Sequence, residues 1–140
     1  MRAVLDPNVI ISALLSPSGA PARVLVAWVQ GGFELVVSAD LLAELDRALA
    51  YPKLRKRVPA DDAHEVLDWL ASAADMARDP DDPPSVRSRD PGDDYLIALA
   101  ESEHAVLVSG DDHLLELADG IPVFTAAEFL SRFLHEPPTG

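Results

Sequence analysis

Four acidic side chains stand where a metal-dependent reaction could be built. Asp6 follows the apolar run "RAVL", and Asp111 follows "AVLVSG". Asp93 precedes the helical stretch "YLIALAESE", and Glu44 lies one turn into a helical stretch that follows "FELVVS". If the apolar runs are parallel strands of one sheet, their carboxyl ends share an edge, where ligands of such sheets bind. The sequence therefore predicts that the four carboxylates meet there.

Carboxylates that lie this close repel one another, and their pKa values rise unless a counter-charge is present. A divalent cation supplies that charge, and a site of oxygen ligands suits Mg²⁺ or Mn²⁺ rather than zinc. Mg²⁺ commonly bridges carboxylates to a phosphate of the substrate. Two ions about 4 Å apart can activate water and stabilise a leaving oxygen, so the predicted chemistry is phosphodiester hydrolysis.

Each acid also has an ordinary structural interpretation. Asp6 precedes a proline and could be a turn residue. Asp93 and Asp111 could only stabilise the starts of the helices that follow them. Glu44 could be a solvated helix residue. Two acids of the same helix compete with it for a place at the sheet edge: Asp40 and Asp46. The joint placement of the four acids, rather than any one of them, favours a site.

The elements that would position these acids alternate between strand and helix. An unbroken aliphatic run such as residues 105–109 is typical of a buried parallel strand. Helix starts are indicated by Pro21, Ser38 and Thr125. The pattern predicts an α/β fold, with a central parallel sheet of four to five strands and helices on both faces. The predicted strands cover residues 2–5, 33–37, 75–77, 105–109 and 121–124.

Bulk composition limits the class of protein. A chain of 140 residues with 49% hydrophobic residues is one globular domain. No apolar run approaches the roughly 20 residues of a membrane span, and no signal peptide is expected. The absence of cysteine excludes thiolate metal sites and fits a cytoplasmic protein. The net charge of −13 argues against broad nucleic-acid binding, but it is equally consistent with an acidic surface or a cation site.

Arginines, histidines and tryptophans are the other residue types that could contribute to a site. Two arginine pairs are candidates for contacts with phosphates: Arg55 and Arg57 in a basic segment, and Arg87 and Arg89 in a long loop rich in proline and aspartate. The basic segment could equally cap a helix. The histidines lack metal-ligand spacing and are interpreted as surface or helix-end residues: His64, His104, His113 and His135. The tryptophans lie at apolar helix positions, which indicates core or interface: Trp28 and Trp69.

Four stretches, taken in order, resemble the PIN-domain nucleases. They are "AVLDPNVIISALL", "VVSADLLAELDRAL", "DPGDDYLIALA" and "AVLVSGDDHLLEL". The resemblance runs from residue 2 to about residue 130, and it is strongest to the VapC-like toxins of bacterial toxin–antitoxin pairs. Any one stretch is a weak signal, whereas four in order at suitable spacing are fairly specific.

The resemblance implies a three-layer α/β/α domain over residues 1–134, with a flexible tail at 135–140. It implies a metal-dependent endoribonuclease that uses Mg²⁺ or Mn²⁺, forms a homodimer in the cytoplasm and is blocked by an antitoxin. Its catalytic and metal-binding acids fall on Asp6, Glu44, Asp93 and Asp111. Its supporting positions fall on Asn8 and Ser109, and Asp90 and Asp94 are alternates for the third acid.

One departure from the family pattern favours a rival interpretation. Pro7 occupies a position that usually holds Thr or Ser, so a hydroxyl and a backbone N–H are missing beside the predicted metal. Together with the net charge of −13, Pro7 favours a catalytically weak or inactive PIN-fold module that binds RNA or protein. The four acids favour the enzyme. A dehalogenase-like phosphatase would need an acid where Asn8 stands, and a receiver domain would need a lysine near the last strand.

Overall fold

A computed structural model describes residues 1–134 of the chain as five strands flanked by helices. All strand pairs are parallel, and the spatial order is β3-β2-β1-β4-β5. The strand order reverses between β1 and β4, so the crevice at their carboxyl ends is the expected ligand position. The strands are β1 Arg2–Leu5, β2 Glu34–Ser38, β3 Asp75–Ala77, β4 Val106–Val108 and β5 Val123–Phe124.

The central strand β1 pairs with neighbours on both sides. Ala3 lies opposite Leu35 of β2 and opposite Val106 of β4. Residues 3–5 are fully buried, as expected for an aliphatic strand covered on both faces. Because β1 is held on both edges, the residue that follows it is fixed in position relative to β4.

Seven helices connect the strands in the described part of the chain, and an eighth follows the last strand. No single helix among residues 1–134 is long and apolar enough to span a membrane. The pair α1 and α2, bent by 100° at a short break, meets the length and composition of a broken span. A 3₁₀ turn, Pro91–Asp93, precedes α6. The helices are α1 Pro7–Leu15, α2 Ala20–Val29, α3 Ala39–Leu49, α4 Pro52–Arg55, α5 Ala60–Ala73, α6 Asp94–Ser102, α7 Asp112–Leu115 and α8 Ala126–Phe133.

Side-chain caps fix where the important helices begin. Asp6 caps α1, and its carboxylate accepts a hydrogen bond from the backbone N–H of Asn8. Ser38 caps α3 through the N–H of Leu41. Thr125 forms a capping box with Glu128 at the start of α8. The helix starts predicted at Ser38 and Thr125 are confirmed.

Aromatic side chains close one part of the core. Phe33 and Phe129 meet edge to face with ring centroids 5.1 Å apart. Trp28 and Trp69 pack on each other at 4.9 Å. Trp69 stays exposed at the surface while Trp28 packs against the core, so the two tryptophans are not stacked inside it.

The structure differs from the sequence prediction in short elements. The basic segment contains a helix, α4, which the sequence analysis did not assign, and β5 has two residues where four were expected. Strand β3 is present at the predicted residues 75–77. The predicted flexible tail at 135–140, and with it His135, lies outside the described residues.

The burial of β1 leads to a prediction about stability. Leu5→Ala removes a fully buried side chain next to Asp6 and should lower the free energy of unfolding by about 3 kcal/mol. Val29→Ala, at a side chain that is 66% exposed, should change it by less than about 0.5 kcal/mol. Urea unfolding measures both. Equal small losses in the two variants would contradict the account of the β1 core.

Candidate active site at the sheet switch point

The first acid lies at the switch point between β1 and β4. The backbone N–H of Asp6 donates to the carbonyl of Val108 at 2.9 Å, which extends the β1–β4 ladder by one residue. The residue is 4% exposed. A carboxylate is almost never buried to this degree without partners, so its contacts define the site.

Two hydrogen bonds hold the Asp6 carboxylate. The N–H of Asn8 donates to Oδ1 at 3.0 Å, and the hydroxyl of Ser109 donates to Oδ2 at 2.8 Å. Ser109, which is fully buried after β4, also accepts from the N–H of Asp111 at 3.0 Å. Ser109 therefore links the carboxylate that follows β1 to the loop that carries Asp111.

The acids of α3 and of the 3₁₀ turn reach the same place. Asp6, Glu44 and Asp93 line one small cavity of about 70 Å³, together with Asn8 and Tyr95. Asp111 raises the pKa of both Asp6 and Asp93 by its charge, as a close neighbour does. The structure thus brings together the four acids predicted as the site. It does not by itself assign their roles.

The electrostatics of the cavity favour a bound cation. Burial raises the pKa of Asp6, against the hydrogen bonds from Asn8 and Ser109, and the charges of Asp111 and Glu44 raise it further. Burial, followed by the charges of Asp111 and Asp6, raises the pKa of Asp93 to about 7. Each shift reports a carboxylate that lacks a counter-charge.

The oxygens of the cavity fit a divalent cation. The Asp93 Oδ2 atom is buried and has no hydrogen-bond donor among residues 1–134. A buried oxygen without a donor is costly, and a cation would satisfy it. The carboxylates of Asp6, Glu44, Asp93 and Asp111 form a donor set of oxygens alone, which suits Mg²⁺ or Mn²⁺.

Tyr95 is a site residue that sequence reasoning missed. It lines the acid cavity, and its hydroxyl is buried without a partner among residues 1–134. Burial, and then the charges of Asp6 and Glu44, raise the pKa of Tyr95. The hydroxyl therefore stays protonated and can donate a hydrogen bond. Its only sequence signal is its place two residues after Asp93.

His113 lies at the start of α7 with a partly exposed side chain, as expected for a helix-end residue, but it also belongs to a grouping that sequence reasoning missed. Its ring has a nitrogen within 4.8 Å of carboxylate oxygens of Asp90 and Asp93, a grouping that could hold a metal ion. Its Nδ1 atom also lies 3.6 Å from Asp111 Oδ1. The sequence gives no sign of this grouping, because the histidines are scattered along the chain without metal-ligand spacing. His64 and His104 are exposed, as expected.

The two alternates for the third acid have different surroundings. Asp94 accepts from the N–H of Ser88 at 2.8 Å and from Arg87 at 3.3 Å, so it anchors the long loop. Asp90 accepts from the N–H of Gly92 and caps the 3₁₀ turn beside the cavity. Asp93 is the acid of this segment that lines the cavity.

The arginines predicted to contact phosphates are mostly held elsewhere. Arg57 donates to the carbonyl of Leu15. Arg55 is half-buried, and its Nη1 has no partner among residues 1–134. Arg89 pairs with Glu116 at 2.7 Å, and the charges of Glu116, Asp112 and Asp111 raise the pKa of Arg89. Of the four predicted arginines, Arg89 is therefore the one whose pKa is raised by the charge of a site acid, Asp111.

A cation that the sequence analysis did not consider touches the site directly. Arg47 pairs with Glu44 three residues earlier on α3. The i,i+3 spacing was readable from the sequence.

Comparisons with known proteins agree with this geometry. The sequence profile described as "PIN domain" matches residues 2–113, which include all four acids. The chain belongs to the PIN-domain family. This family consists of nucleases that use divalent metals, so the chain belongs to a family of hydrolases. An uncharacterized protein of Methanocaldococcus jannaschii is 29% identical over 143 residues, which cover 95% of this chain and 92% of that one.

Solved structures share the PIN fold at low sequence identity. VapBC2 from Rickettsia felis, bound to a DNA fragment from their promoter, matches with a TM-score of 0.60 at 15% identity. The match covers 89% of this chain and 98% of that chain. FitAcB from Neisseria gonorrhoeae matches with a TM-score of 0.57 at 19% identity, covering 89% and 97%. These likenesses confirm the predicted α/β architecture.

The raised pKa of Asp93 leads to a prediction about pH. An ordinary aspartate has a pKa of 3.8, so between about pH 4 and pH 7 the folded protein keeps a proton that the unfolded chain releases. Folding then binds protons, and the free energy of unfolding falls as pH rises through this window. In EDTA, the melting temperature should be higher at pH 5 than at pH 8. Asp93→Asn should flatten this dependence.

A matched variant separates the site from the general acidity of the chain. Asp46→Asn removes an exposed acid of α3 and should keep the wild-type pH dependence. Differential scanning calorimetry across pH 5–8 measures all three proteins. A melting temperature that rises with pH, or an Asp93→Asn slope equal to that of wild type, would contradict the assigned environment.

Proposed function

We propose that the protein is a metal-dependent endoribonuclease that hydrolyses RNA phosphodiester bonds. The observation that carries the proposal is the convergence of Asp6, Glu44, Asp93 and Asp111 at the switch point, with Asp6 buried and Asp93 holding an oxygen without a donor. Membership of the PIN-domain family supports nuclease chemistry. RNA as the substrate and Mg²⁺ or Mn²⁺ as the ion are the finer parts of the proposal.

In this proposal the four carboxylates hold the cation, and each is positioned by its own element. When bound, the cation would activate water and stabilise negative charge on the phosphate. Asp6 cannot rotate freely, because Asn8 and Ser109 each hold one of its oxygens. The Tyr95 hydroxyl makes no hydrogen bond within the described residues, so it can donate one to a phosphate oxygen.

The rival proposal of an inactive module is less well supported. Burying Asp6 among other acids raises its pKa and costs folding free energy, which a scaffold would have no reason to retain. Pro7 lies at the first position of α1, where a backbone N–H has no partner within the helix. The N–H of Asn8 provides the bond to Asp6 instead. Pro7 is therefore compatible with an ordered site.

The toxin role, the antitoxin and the homodimer belong to the same proposal. The fold likeness to VapBC2 supports a protein partner, and in this proposal that partner covers the site. A basic side chain of that partner would neutralise the acids in the absence of metal. Arg55, Arg57, Arg87 and Arg89 remain candidates for RNA phosphates, with Arg89 closest in charge effect to the site. A cytoplasmic location is likewise proposed.

Cleavage by the wild type and by Asp6→Asn tests the mechanism. The wild type should cut single-stranded or structured RNA in Mg²⁺ or Mn²⁺ and should be inactive in EDTA. Asp6→Asn should lower the rate by at least about 100-fold, because the buried ligand between Ser109 and Asn8 is lost. Gel analysis of labelled RNA measures the rate.

The exposed acid Asp46 again provides a control. Asp46→Asn, on α3, changes the net charge of the protein by the same amount as Asp6→Asn and should retain wild-type cleavage. Cleavage that persists in EDTA, or at an undiminished rate in Asp6→Asn, would contradict the proposed chemistry.

Thermal stability tests cation binding independently of RNA. Mn²⁺ at about 100 times its dissociation constant should stabilise the native protein by about 2.7 kcal/mol and raise its melting temperature. The shift should disappear in an Asp6→Asn/Asp111→Asn double variant. The same shift in both proteins would place the bound ion elsewhere.

A further inference from the structure

A groove adjoins the acid cavity between α3 and the start of α6. Its volume is about 370 Å³. Three of its residues, Glu44, Gly92 and Tyr95, also line the acid cavity, so the two spaces adjoin each other. The groove, called here the α3–α6 groove, is lined by Asp40, Ala43, Glu44, Arg47, Gly92 and Tyr95.

Arg47 is the cationic side chain among the residues that line this groove. Its side chain is 70% exposed and pairs with Glu44, which is 40% exposed. An exposed ion pair of this spacing is weak and can exchange partners. The two arginines of the long loop are paired with acids outside the groove, Arg87 with Asp94 and Arg89 with Glu116. Arg47 is therefore placed to meet a phosphate beside the acids.

Tyr95 adds a neutral donor where the groove meets the cavity. Its hydroxyl is buried without a partner among residues 1–134, and its side chain lines both spaces. Gly92 lies at the same junction and presents no side chain there. These features are those of a binding site for a phosphate next to the reacting one.

We propose that the α3–α6 groove binds the RNA phosphate adjacent to the scissile one, with Arg47 supplying a charged contact and Tyr95 a hydrogen bond. The inference rests on the proposed ribonuclease function and deepens it. It also assigns a second role to the pair between Arg47 and Glu44. In the free protein Arg47 neutralises Glu44, and when a cation takes Glu44 the guanidinium is released toward the groove.

Asp40 limits where in the groove a phosphate can bind. Asp40 lines the same space, and its charge opposes a phosphate there. The phosphate therefore belongs on the side formed by Arg47 and Tyr95. Asp40→Asn should tighten RNA binding for this reason, whereas an acid far from the phosphate would have little effect.

Binding of a fluorescent single-stranded oligoribonucleotide, measured by anisotropy in Ca²⁺ at several KCl concentrations, tests the groove. Ca²⁺ occupies carboxylate sites but is a poor catalyst of phosphodiester hydrolysis, so the RNA stays intact while all four acids remain in place. Arg47→Gln should weaken binding about tenfold and reduce the slope of log K against log[KCl] by about 0.7, the value for one phosphate contact on a single strand. Tyr95→Phe should weaken binding about threefold and leave the slope unchanged, because the hydroxyl is neutral.

Arg78→Gln is the matched control. Arg78 also forms an exposed i,i+3 pair, with Asp81, and follows β3 at the edge of the sheet. Its substitution changes the net charge equally and should leave the slope as it is. Equal losses in Arg47→Gln and Arg78→Gln, or an unchanged slope in Arg47→Gln, would overturn the inference.

A second readout follows the release of Arg47 without RNA. Arg47→Gln frees Glu44, so less Mn²⁺ should be needed for half of the maximal rise in melting temperature. An unchanged Mn²⁺ requirement would overturn the exchange between Arg47 and the cation. A wild type that binds RNA through Arg47 but never cleaves it would contradict the proposed function and leave the binding inference intact.

Discussion

The pairing of β1 with β4 is the constraint on which the site depends. It brings together two loops that are distant in sequence. The hydrogen bond that the Ser109 hydroxyl donates to Asp6, 103 residues earlier, joins them at 2.8 Å. A buried carboxylate needs such partners to persist in a folded protein. Because Ser109 also accepts from the N–H of Asp111, one hydroxyl sets the relation between two of the acids. The helices α3 and α6 then need only deliver Glu44 and Asp93 to a position already fixed by the sheet.

The same arrangement leaves negative charge uncompensated. Hydrogen bonds satisfy Asp6, but they do not offset burial and the repulsion between the acids, which together raise the pKa of Asp6 and of Asp93. The protein tolerates this cost by pairing Glu44 with Arg47, which is the one charge contact from α3 to the acids among the described residues. A divalent cation would neutralise the carboxylates, and an RNA phosphate would then pair with the Arg47 guanidinium released from Glu44. Charge balance thus connects metal binding, substrate binding and the arginine of α3.

The sequence was sufficient for the features that depend on local pattern and strand order. The apolar runs located β1 and β4, and the acids after them followed from the geometry of parallel sheets. It was not sufficient where contacts join distant segments without a local signal. His113 reaches Asp90 and Asp93 only because α7 lies beside the 3₁₀ turn. Tyr95 lines the acid cavity only because α6 begins next to it. The interpretation of Pro7 also changed, since only the structure shows that Asn8 provides the N–H to Asp6.

The central claim is that the four carboxylates form a divalent cation site, and anomalous diffraction from crystals soaked in Mn²⁺ tests it most directly. We expect an anomalous difference peak in the cavity lined by Asp6, Glu44 and Asp93, within reach of Asp111, with Arg47 turned away from Glu44. No peak in that cavity at saturating Mn²⁺, or a peak held only by Asp90 and His113 with Asp6 still bonded to its two donors alone, would contradict it.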